Sequence, residues 1–170
     1  LSKRWKAAVR KYLIDENTML AAGNCQTSQA MAIYYNIFEP AERKAAFEQL
    51  INLIEEKEYH LDVGVLGGRV LFHVLTEFGY SDLAFSMITR PDYPSYGNWI
   101  VRGATTLWEV FQPEGSDRIG SLNHHFWGDI SSWFTQALSG IRMAPHGESD
   151  DVDFRPSFIS RLTHAEAFHI

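Results

Sequence analysis

Apolar residues recur at helical spacing over the first four-fifths of the 170-residue chain, and this periodicity restricts its fold more than any other feature. Side chains three and four positions apart lie on one face of an α-helix, so each apolar stripe predicts a helix with one buried face. The stripes run over Trp5–Tyr12, Ala30–Ile37, Phe47–Ile54, Leu71–Phe78, Leu83–Ile88 and Phe126–Ile141. The pattern therefore predicts a mainly α-helical protein.

The links between these helices alternate in length. Short links occur around Pro40, which suits a first helical turn, and around Gly79, which suits a C-terminal glycine cap, with Ser81 as the next N-cap. Longer links separate the helix pairs, at 57–68, 89–98 and 112–123. Helical hairpins joined by alternating links form a ring whose long loops gather at one end. The spacing thus predicts an α/α toroid with room for a binding site at that end.

Composition narrows the function classes. The formal net charge of -6 provides no basic field for nucleic acid or for an anionic membrane. No apolar run approaches the ~20 residues of a membrane helix, which predicts a soluble protein. The single cysteine, Cys25, cannot form an intramolecular disulfide, so cysteine usage does not indicate whether the protein works in an oxidising or a reducing compartment.

The end of the chain has a different pattern. Phe154, Pro156 and Phe158 alternate with polar residues, which predicts extended structure after a polar, acidic linker at 146–153. The chain is expected to leave a helical domain and to begin a β module that it does not finish. Its start without methionine and its end on EAFHI, which resembles the middle of a strand, predict a fragment of a longer protein.

The stretch YGNWIVRGATTLWEVF, residues 96–111, is predicted as one helix that carries Glu109. Asn98, Arg102, Thr105 and Glu109 would then form a single polar stripe. Periodicity alone favours a solvated helix face, because most helical glutamates perform no chemistry. A catalytic Glu109 requires the stripe to line a cavity.

Aromatic residues lie within this stretch and in the neighbouring loops. They are Tyr93, Tyr96, Trp99, Trp108 and Trp127. Any single ring is explained more simply as part of a core. Aromatic faces also stack on the C–H faces of sugars, so a group of them beside a carboxylate favours a carbohydrate site.

Metal, nucleotide and serine-nucleophile chemistry have little support. There is no H-E-x-x-H motif, and the adjacent His124 and His125 would point about 100° apart on a helix. The glycines at 64–68 fit neither G-x-G-x-x-G nor the P-loop, and a G-x-S-x-G elbow is absent. We expect no metal and no cofactor. His124 is either a hydrogen-bond donor to substrate or a helix-entry residue without a ligand.

Several ordered stretches resemble the bacterial α-L-rhamnosidases of glycoside hydrolase family 78. The most specific motifs are Tyr-Pro-Ser-aromatic-Gly at 93–97, Gly-Ala-Thr-Thr-x-Trp-Glu at 103–109 and Ser-Leu-Asn-His at 121–124. The resemblance implies the later portion of a six-hairpin α/α barrel over residues 1–146. It also implies a linker and the start of a C-terminal β-sandwich over residues 147–170.

The same resemblance assigns residue roles. Glu109 corresponds to the general base that activates water for inversion at the anomeric carbon of rhamnose, and His124 to a histidine that holds the sugar. Trp99, Trp108 and Tyr96 are further candidates for substrate binding. Tyr96 stands where the family often has tryptophan, which affects fine substrate contacts rather than the class.

Inverting hydrolysis requires a second carboxyl group, a general acid about 6.5–9.5 Å from the base. The resemblance implies that this acid lies upstream, yet residues 1–25 do not resemble that segment, and Asp15 and Glu16 fall in a turn. We therefore expect an α-L-rhamnosidase fragment that is inactive alone, because loss of such a group costs ~10²–10⁴-fold in rate. Its expected partners are a rhamnose-containing carbohydrate and the remainder of the parent chain.

Two alternatives stay open. One is another α/α-barrel glycosidase or a polysaccharide lyase; a lyase would use a basic residue with tyrosine or histidine and would tolerate Glu109→Gln better. The other is a non-catalytic sugar-binding or helical scaffold protein. Such a protein would keep aromatic-dependent binding after Glu109 is neutralised, without turnover.

Overall fold

The computed structural model describes residues 2–116, 120–143 and 152–168. It divides into two compact units, Leu1–Val74 and Leu75–Ile170. The α-helices are α1 Ser2–Leu13, α2 Gln26–Tyr34, α3 Arg43–Glu55, α4 Val65–Gly68, α5 Leu71–Glu77, α6 Ser81–Thr89, α7 Tyr96–Val101 and α8 Asp129–Trp133. A 3₁₀ turn at His125–Trp127 precedes α8, and a π-helical turn at Phe134–Leu138 follows it. The short strands are β1 Ile14–Asp15, β2 Leu20–Ala21, β3 Ile141–Met143 and β4 Val152–Phe154.

In the first unit, α2 packs against α3 and α4. The buried amide of Gln29 joins three segments, because it donates to the carbonyls of Met19 and Ala46 and accepts from the N–H of Ala21. A buried amide with its polar atoms satisfied fixes the positions of the backbones that it bonds. The prediction that Pro40 lies in the first turn of a helix is wrong, since Pro40 lies in a turn before α3.

The two acidic residues near the first helix are held by local contacts. Strands β1 and β2 pair antiparallel, with Asp15 opposite Leu20. The Asp15 carboxylate accepts from the N–H of Asn17 at 2.8 Å, and this hydrogen bond lowers the pKa of Asp15. Glu16 is bonded to Arg10 at 3.0 Å.

In the second unit, the predicted glycine cap is confirmed at Gly79. Gly79 has φ +84°, its N–H bonds to the carbonyl of Thr76, and the N–H of Tyr80 bonds to that of Leu75. Glycine adopts this left-handed conformation without a steric cost, so helix α5 ends here. The predicted N-cap Ser81 is wrong by one residue, because Tyr80 occupies the cap.

The prediction of one helix over residues 96–111 is wrong. Helix α7 ends at Val101, and Gly103 at φ +83° turns the chain away. The N–H groups of Gly103 and Ala104 close this turn on the carbonyls of Ile100 and Trp99. No polar helical stripe through Asn98 and Glu109 is therefore formed, because the left-handed glycine terminates the helix.

The predicted long helix at the end of the helical region is also interrupted. It consists of the 3₁₀ turn, α8 and the π-helical turn, and it ends at Gly140, which has φ +71°. A Cβ at Gly140 would collide with the backbone of Arg155 and Pro156. Glycine thus allows the final segment to pass close to this turn.

The final segment is extended where it pairs with the preceding strand. Strand β4 pairs antiparallel with β3, with Ile141 opposite Phe154. Farther on, the carboxylate of Asp82 accepts from both the N–H and the hydroxyl of Ser160. Among the described residues this region forms a two-stranded sheet, and the start of a β-sandwich is not confirmed. The predicted domain boundary between residues 146 and 147 lies outside the described residues.

None of the helices in the described ranges combines the length and the apolar character needed to cross a bilayer.

Candidate active site

Glu109 and His124 lie on two segments that run side by side, residues 106–109 and 121–124. The N–H of Glu109 donates to the carbonyl of Ser121 at 2.8 Å, and the N–H of His124 donates to the carbonyl of Leu107 at 2.8 Å. The hydroxyl of Thr106 adds a bond to the carbonyl of Leu122. These bonds pair the segments antiparallel. The structure thereby brings together the two residues that the motifs single out.

The Glu109 side chain is half-buried and bound to the same partner as its backbone. Its Oε2 accepts from the N–H of Ser121 at 2.8 Å. An added Cβ at Gly120 would lie 3.3 Å from both Cβ and Oε2 of Glu109. The hydrogen bonds of this carboxylate to described residues use Oε2, so Oε1 is the oxygen available to a water molecule.

Trp127 holds the backbone of Glu109 from a second direction. Its indole Nε1–H donates to the carbonyl of Glu109 at 2.9 Å, and its side chain is buried. The ring centroid of Phe111 lies 4.6 Å from that of Trp127. The backbone of Glu109 is therefore anchored through both its N–H and its carbonyl.

Trp127 belongs to an aromatic cluster, which consists of Tyr96, Trp99, Phe111 and Trp127. Trp99 stacks on Phe111 with a centroid distance of 4.3 Å, and Tyr96 meets Trp127 edge to face at 6.0 Å. The Tyr96 hydroxyl donates to the carbonyl of Trp127 at 3.3 Å. Burial, with a smaller effect from the charge of Asp129, raises the pKa of Tyr96 above its usual range, so the hydroxyl remains a donor.

The three aromatic candidates differ in exposure. Tyr96 and Trp99 are 7% and 2% exposed, whereas Trp108 is half-buried. The indole N–H of Trp99 has no hydrogen-bond partner among the described residues. Trp108 lies 6.1 Å from Trp99 between ring centroids. Of these three rings, Trp108 has the largest accessible face.

His124 caps the 3₁₀ turn. Its Nδ1 accepts from the N–H of Phe126 at 3.4 Å, so the neutral ring carries its proton on Nε2. The ring of His125 lies parallel to it at 5.5 Å, and Phe126 meets it edge to face at 4.2 Å. His124 therefore combines a structural role as a cap with a ring nitrogen, Nε2, that has no hydrogen-bond partner among the described residues.

The motifs did not identify every residue that holds Glu109. Gly120 precedes the Ser-Leu-Asn-His motif and carries no functional group, so no chemical signal marked it. The sequence indicates Trp127 only as a nearby aromatic residue, because its bond to Glu109 spans 18 residues of sequence. An apolar cavity of about 580 Å³ nearby is lined by Trp99, Leu107 and others, but not by Glu109.

Within the ranges that the structure describes, no three histidine, cysteine, aspartate or glutamate side chains are grouped to hold a metal ion.

Comparison with known proteins gives consistent matches over most of the chain. The family described as bacterial alpha-L-rhamnosidase 6 hairpin glycosidase domain matches residues 1–138. An alpha-L-rhamnosidase of Streptomyces avermitilis is 34% identical over 151 residues, which cover 85% of this chain and 15% of the relative. One from Alteromonas sp. is 32% identical over 94% of this chain and 18% of the relative.

Solved structures agree in fold. The Streptomyces avermitilis alpha-L-rhamnosidase complexed with L-rhamnose has a TM-score of 0.82 at 32% identity, covering 91% of this chain and 15% of that chain. The alpha-L-rhamnosidase from Dictyoglumus thermophilum has a TM-score of 0.71 at 30% identity, covering 82% and 16%. This chain thus spans less than a fifth of the length of these relatives. It belongs to the six-hairpin glycosidase domain family of the bacterial α-L-rhamnosidases.

Proposed function

We propose that this chain is part of an inverting α-L-rhamnosidase, with Glu109 as the general base and His124 as a sugar-binding residue. The observation that carries this proposal is the fixed carboxylate of Glu109, held through Oε2 by Ser121 on the segment that also bears His124. A base must be held in position next to its water, and backbone hydrogen bonds provide such rigidity.

The proposed reaction is the single-displacement hydrolysis of an inverting glycosidase. Oε1 of Glu109 takes a proton from water as the water oxygen bonds to the anomeric carbon. The bond from that carbon to the leaving oxygen breaks on the opposite face, and a general acid protonates the departing oxygen. The electron pair of the broken bond stays on the leaving group, and the product has inverted configuration.

The acid is proposed to come from the remainder of the parent chain. Asp15 and Glu16, the acidic residues nearest to the start of the chain, have structural partners in Asn17 and Arg10. Helix α1 contributes no buried residue, and its Trp5 is 65% exposed, which suits a surface covered in a longer protein. The isolated 170 residues are therefore proposed to be inactive.

The substrate is proposed to be a glycoside with a terminal α-L-rhamnose. The names of the relatives support this class, and the Streptomyces structure contains L-rhamnose. Trp108 is proposed to stack on the sugar, with Tyr96 and Trp99 supporting it from within the aromatic cluster. The Nε2–H of His124 would donate to a sugar hydroxyl oxygen.

Hydrolysis of an aryl α-L-rhamnoside by the complete enzyme tests the proposal. The complete enzyme should be active and should release β-L-rhamnose first, which proton NMR detects before mutarotation. The Glu109→Gln variant should lose at least 10²-fold in kcat, in the range of a lost general base, and the isolated chain should be silent. Retention of configuration, or full activity in Glu109→Gln, would refute the assigned mechanism.

A further inference from the structure

We propose that Gly120 and Trp127 are positioning residues that hold Glu109 in its reactive geometry without touching the sugar. This inference rests on the proposed function of Glu109 as the base. It concerns how the rate of the reaction depends on the contacts that Gly120 and Trp127 make with Glu109.

Gly120 supplies space. An added Cβ would lie 3.2 Å from Cγ2 of Val110 and 3.3 Å from both Cβ and Oε2 of Glu109. Gly120 does not have a left-handed φ, so the glycine is needed here for close approach rather than for backbone conformation. Because Ser121 follows directly, a methyl group at Gly120 would push against Oε2 and shift it by about a few tenths of an ångström relative to the N–H of Ser121, which donates to it at 2.8 Å.

Trp127 supplies a fixed donor. Its Nε1–H lies 2.9 Å from the carbonyl oxygen of Glu109, and its side chain is only 4% exposed. Phe111 and Tyr96 pack against the indole, and the Tyr96 hydroxyl bonds to the carbonyl of Trp127. An indole ring restrained in this way fixes the position of the Glu109 backbone carbonyl.

These contacts act on the carboxylate in complementary ways. Ser121 and Gly120 restrict the side chain, while Trp127 restricts the backbone from which that side chain projects. A misplacement of about 1 Å in a reacting group can cost ~10²-fold in rate. The contacts are therefore expected to affect kcat much more than sugar binding.

The chain offers matched controls for both residues. Gly64 has nothing within 4 Å of an added Cβ and no left-handed φ, so Gly64→Ala makes the same chemical change in open space. Trp133 is fully buried and donates its indole N–H to Thr76 at 2.9 Å, so Trp133→Phe removes a comparable hydrogen bond away from Glu109.

The experiment measures kcat, KM, the inhibition constant of L-rhamnose and Tm for the four variants in the complete enzyme. Gly120→Ala and Trp127→Phe should lower kcat by about 10- to 100-fold, with KM and the inhibition constant within about threefold. Gly64→Ala and Trp133→Phe should keep kcat near wild type, although Trp133→Phe lowers Tm. Glu109→Ala without azide provides the rate expected without any base; added azide should raise that rate, because it attacks the anomeric carbon without needing deprotonation as the protonated aglycone leaves.

A normal kcat in both Gly120→Ala and Trp127→Phe, together with collapse in Glu109→Gln, would overturn the positioning roles alone. An equal loss of kcat in Trp133→Phe and Trp127→Phe would also overturn them, since general destabilisation would then explain both. An unaffected Glu109→Gln would instead overturn the proposed function.

Discussion

The guanidinium carbon of Arg102 lies 5.2 Å from the ring centroid of Trp108, and its Nη1 donates to the carbonyl of Gln112 at 2.5 Å. Arg102 thus contacts the ring of Trp108 while it is anchored to the chain beyond Glu109. A guanidinium over an indole face contributes a cation–π attraction that restricts the ring. The orientation of the proposed sugar-stacking residue is therefore linked to the segment that carries Glu109, the proposed base.

Substituting Arg102 by methionine should weaken sugar binding in the complete enzyme. The change removes the charge and the hydrogen bond but keeps an unbranched side chain, so Trp108 becomes less restricted. We expect KM for an aryl rhamnoside to rise about 2- to 20-fold, the range of a cation–π contact, with a smaller change in kcat. Arg142→Met is the control, because Arg142 bonds to the carbonyl of Gln136. A fall in kcat at constant KM would contradict this role.

Substituting His124 by alanine should affect binding more strongly than the same change at His125. Both rings are adjacent and parallel, but His124 also caps the 3₁₀ turn. Loss of a donor to a sugar hydroxyl should raise KM by about 10- to 100-fold, as for a buried hydrogen bond left unmade. His125→Ala should remain within about threefold. Equal effects of the two substitutions in steady-state kinetics would argue against sugar binding by His124.

Substituting Gln29 by leucine should destabilise the first unit. Buried backbone groups on Ala21 and Ala46, and a half-buried carbonyl on Met19, would each lose a hydrogen bond. We expect a loss of about 2–4 kcal/mol, given the cost of unsatisfied buried polar groups. Thermal unfolding of the chain measures the change. The exposed Gln136, which bonds to Ser132, serves as the control, and Gln136→Leu should change stability by less than about 0.5 kcal/mol.

The ion pair between Arg10 and Glu42 should make the first unit sensitive to acid. Hydrogen bonds from Arg10, then from the N–H of Glu39, lower the pKa of Glu42 below its ordinary value of 4.5. A carboxyl with a lowered folded-state pKa contributes stability above that ordinary value and loses it as the pH falls through the folded-state pKa.

Melting curves between about pH 6 and pH 3 test this linkage. Wild type should lose more Tm than Glu42→Gln as the pH falls, because the variant has no such charge to lose. The exposed Glu48→Gln should follow wild type. Parallel curves for wild type and Glu42→Gln would show that this pair contributes no acid sensitivity.

The parts of the fold that are determined by residues close together in the sequence could be predicted. The helical stripes and the Gly79 cap follow from periodicity and backbone preference within a few residues. The error at 96–111 arose because the apolar spacing continues past Gly103, whose left-handed conformation ends the helix. Periodicity does not register such a stop, although glycine after a short apolar run is the signal that marks it.

The sequence allowed candidate site residues to be proposed, but not their arrangement. The motifs indicated Glu109 and His124 because their residue types and neighbours resemble those of a family. They did not indicate that Ser121 bonds both the backbone and the side chain of Glu109, since this contact spans 12 residues of sequence. Segments that pair without regular secondary structure show no periodic pattern of apolar residues in the sequence. The proposed role of Gly120 depends on its lack of a side chain, which no motif indicates.

The bonds between Glu109 and Ser121 also join the two ends of the stretch 110–120. A chain closed at its base can be lengthened at small entropic cost, about 0.6 kcal/mol per doubling. The turn at Pro113–Ser116 lies within it, bonded from the N–H of Ser116 to the carbonyl of Pro113. Insertions at this turn are therefore expected to change the length of the loop while the carboxylate of Glu109 keeps its position.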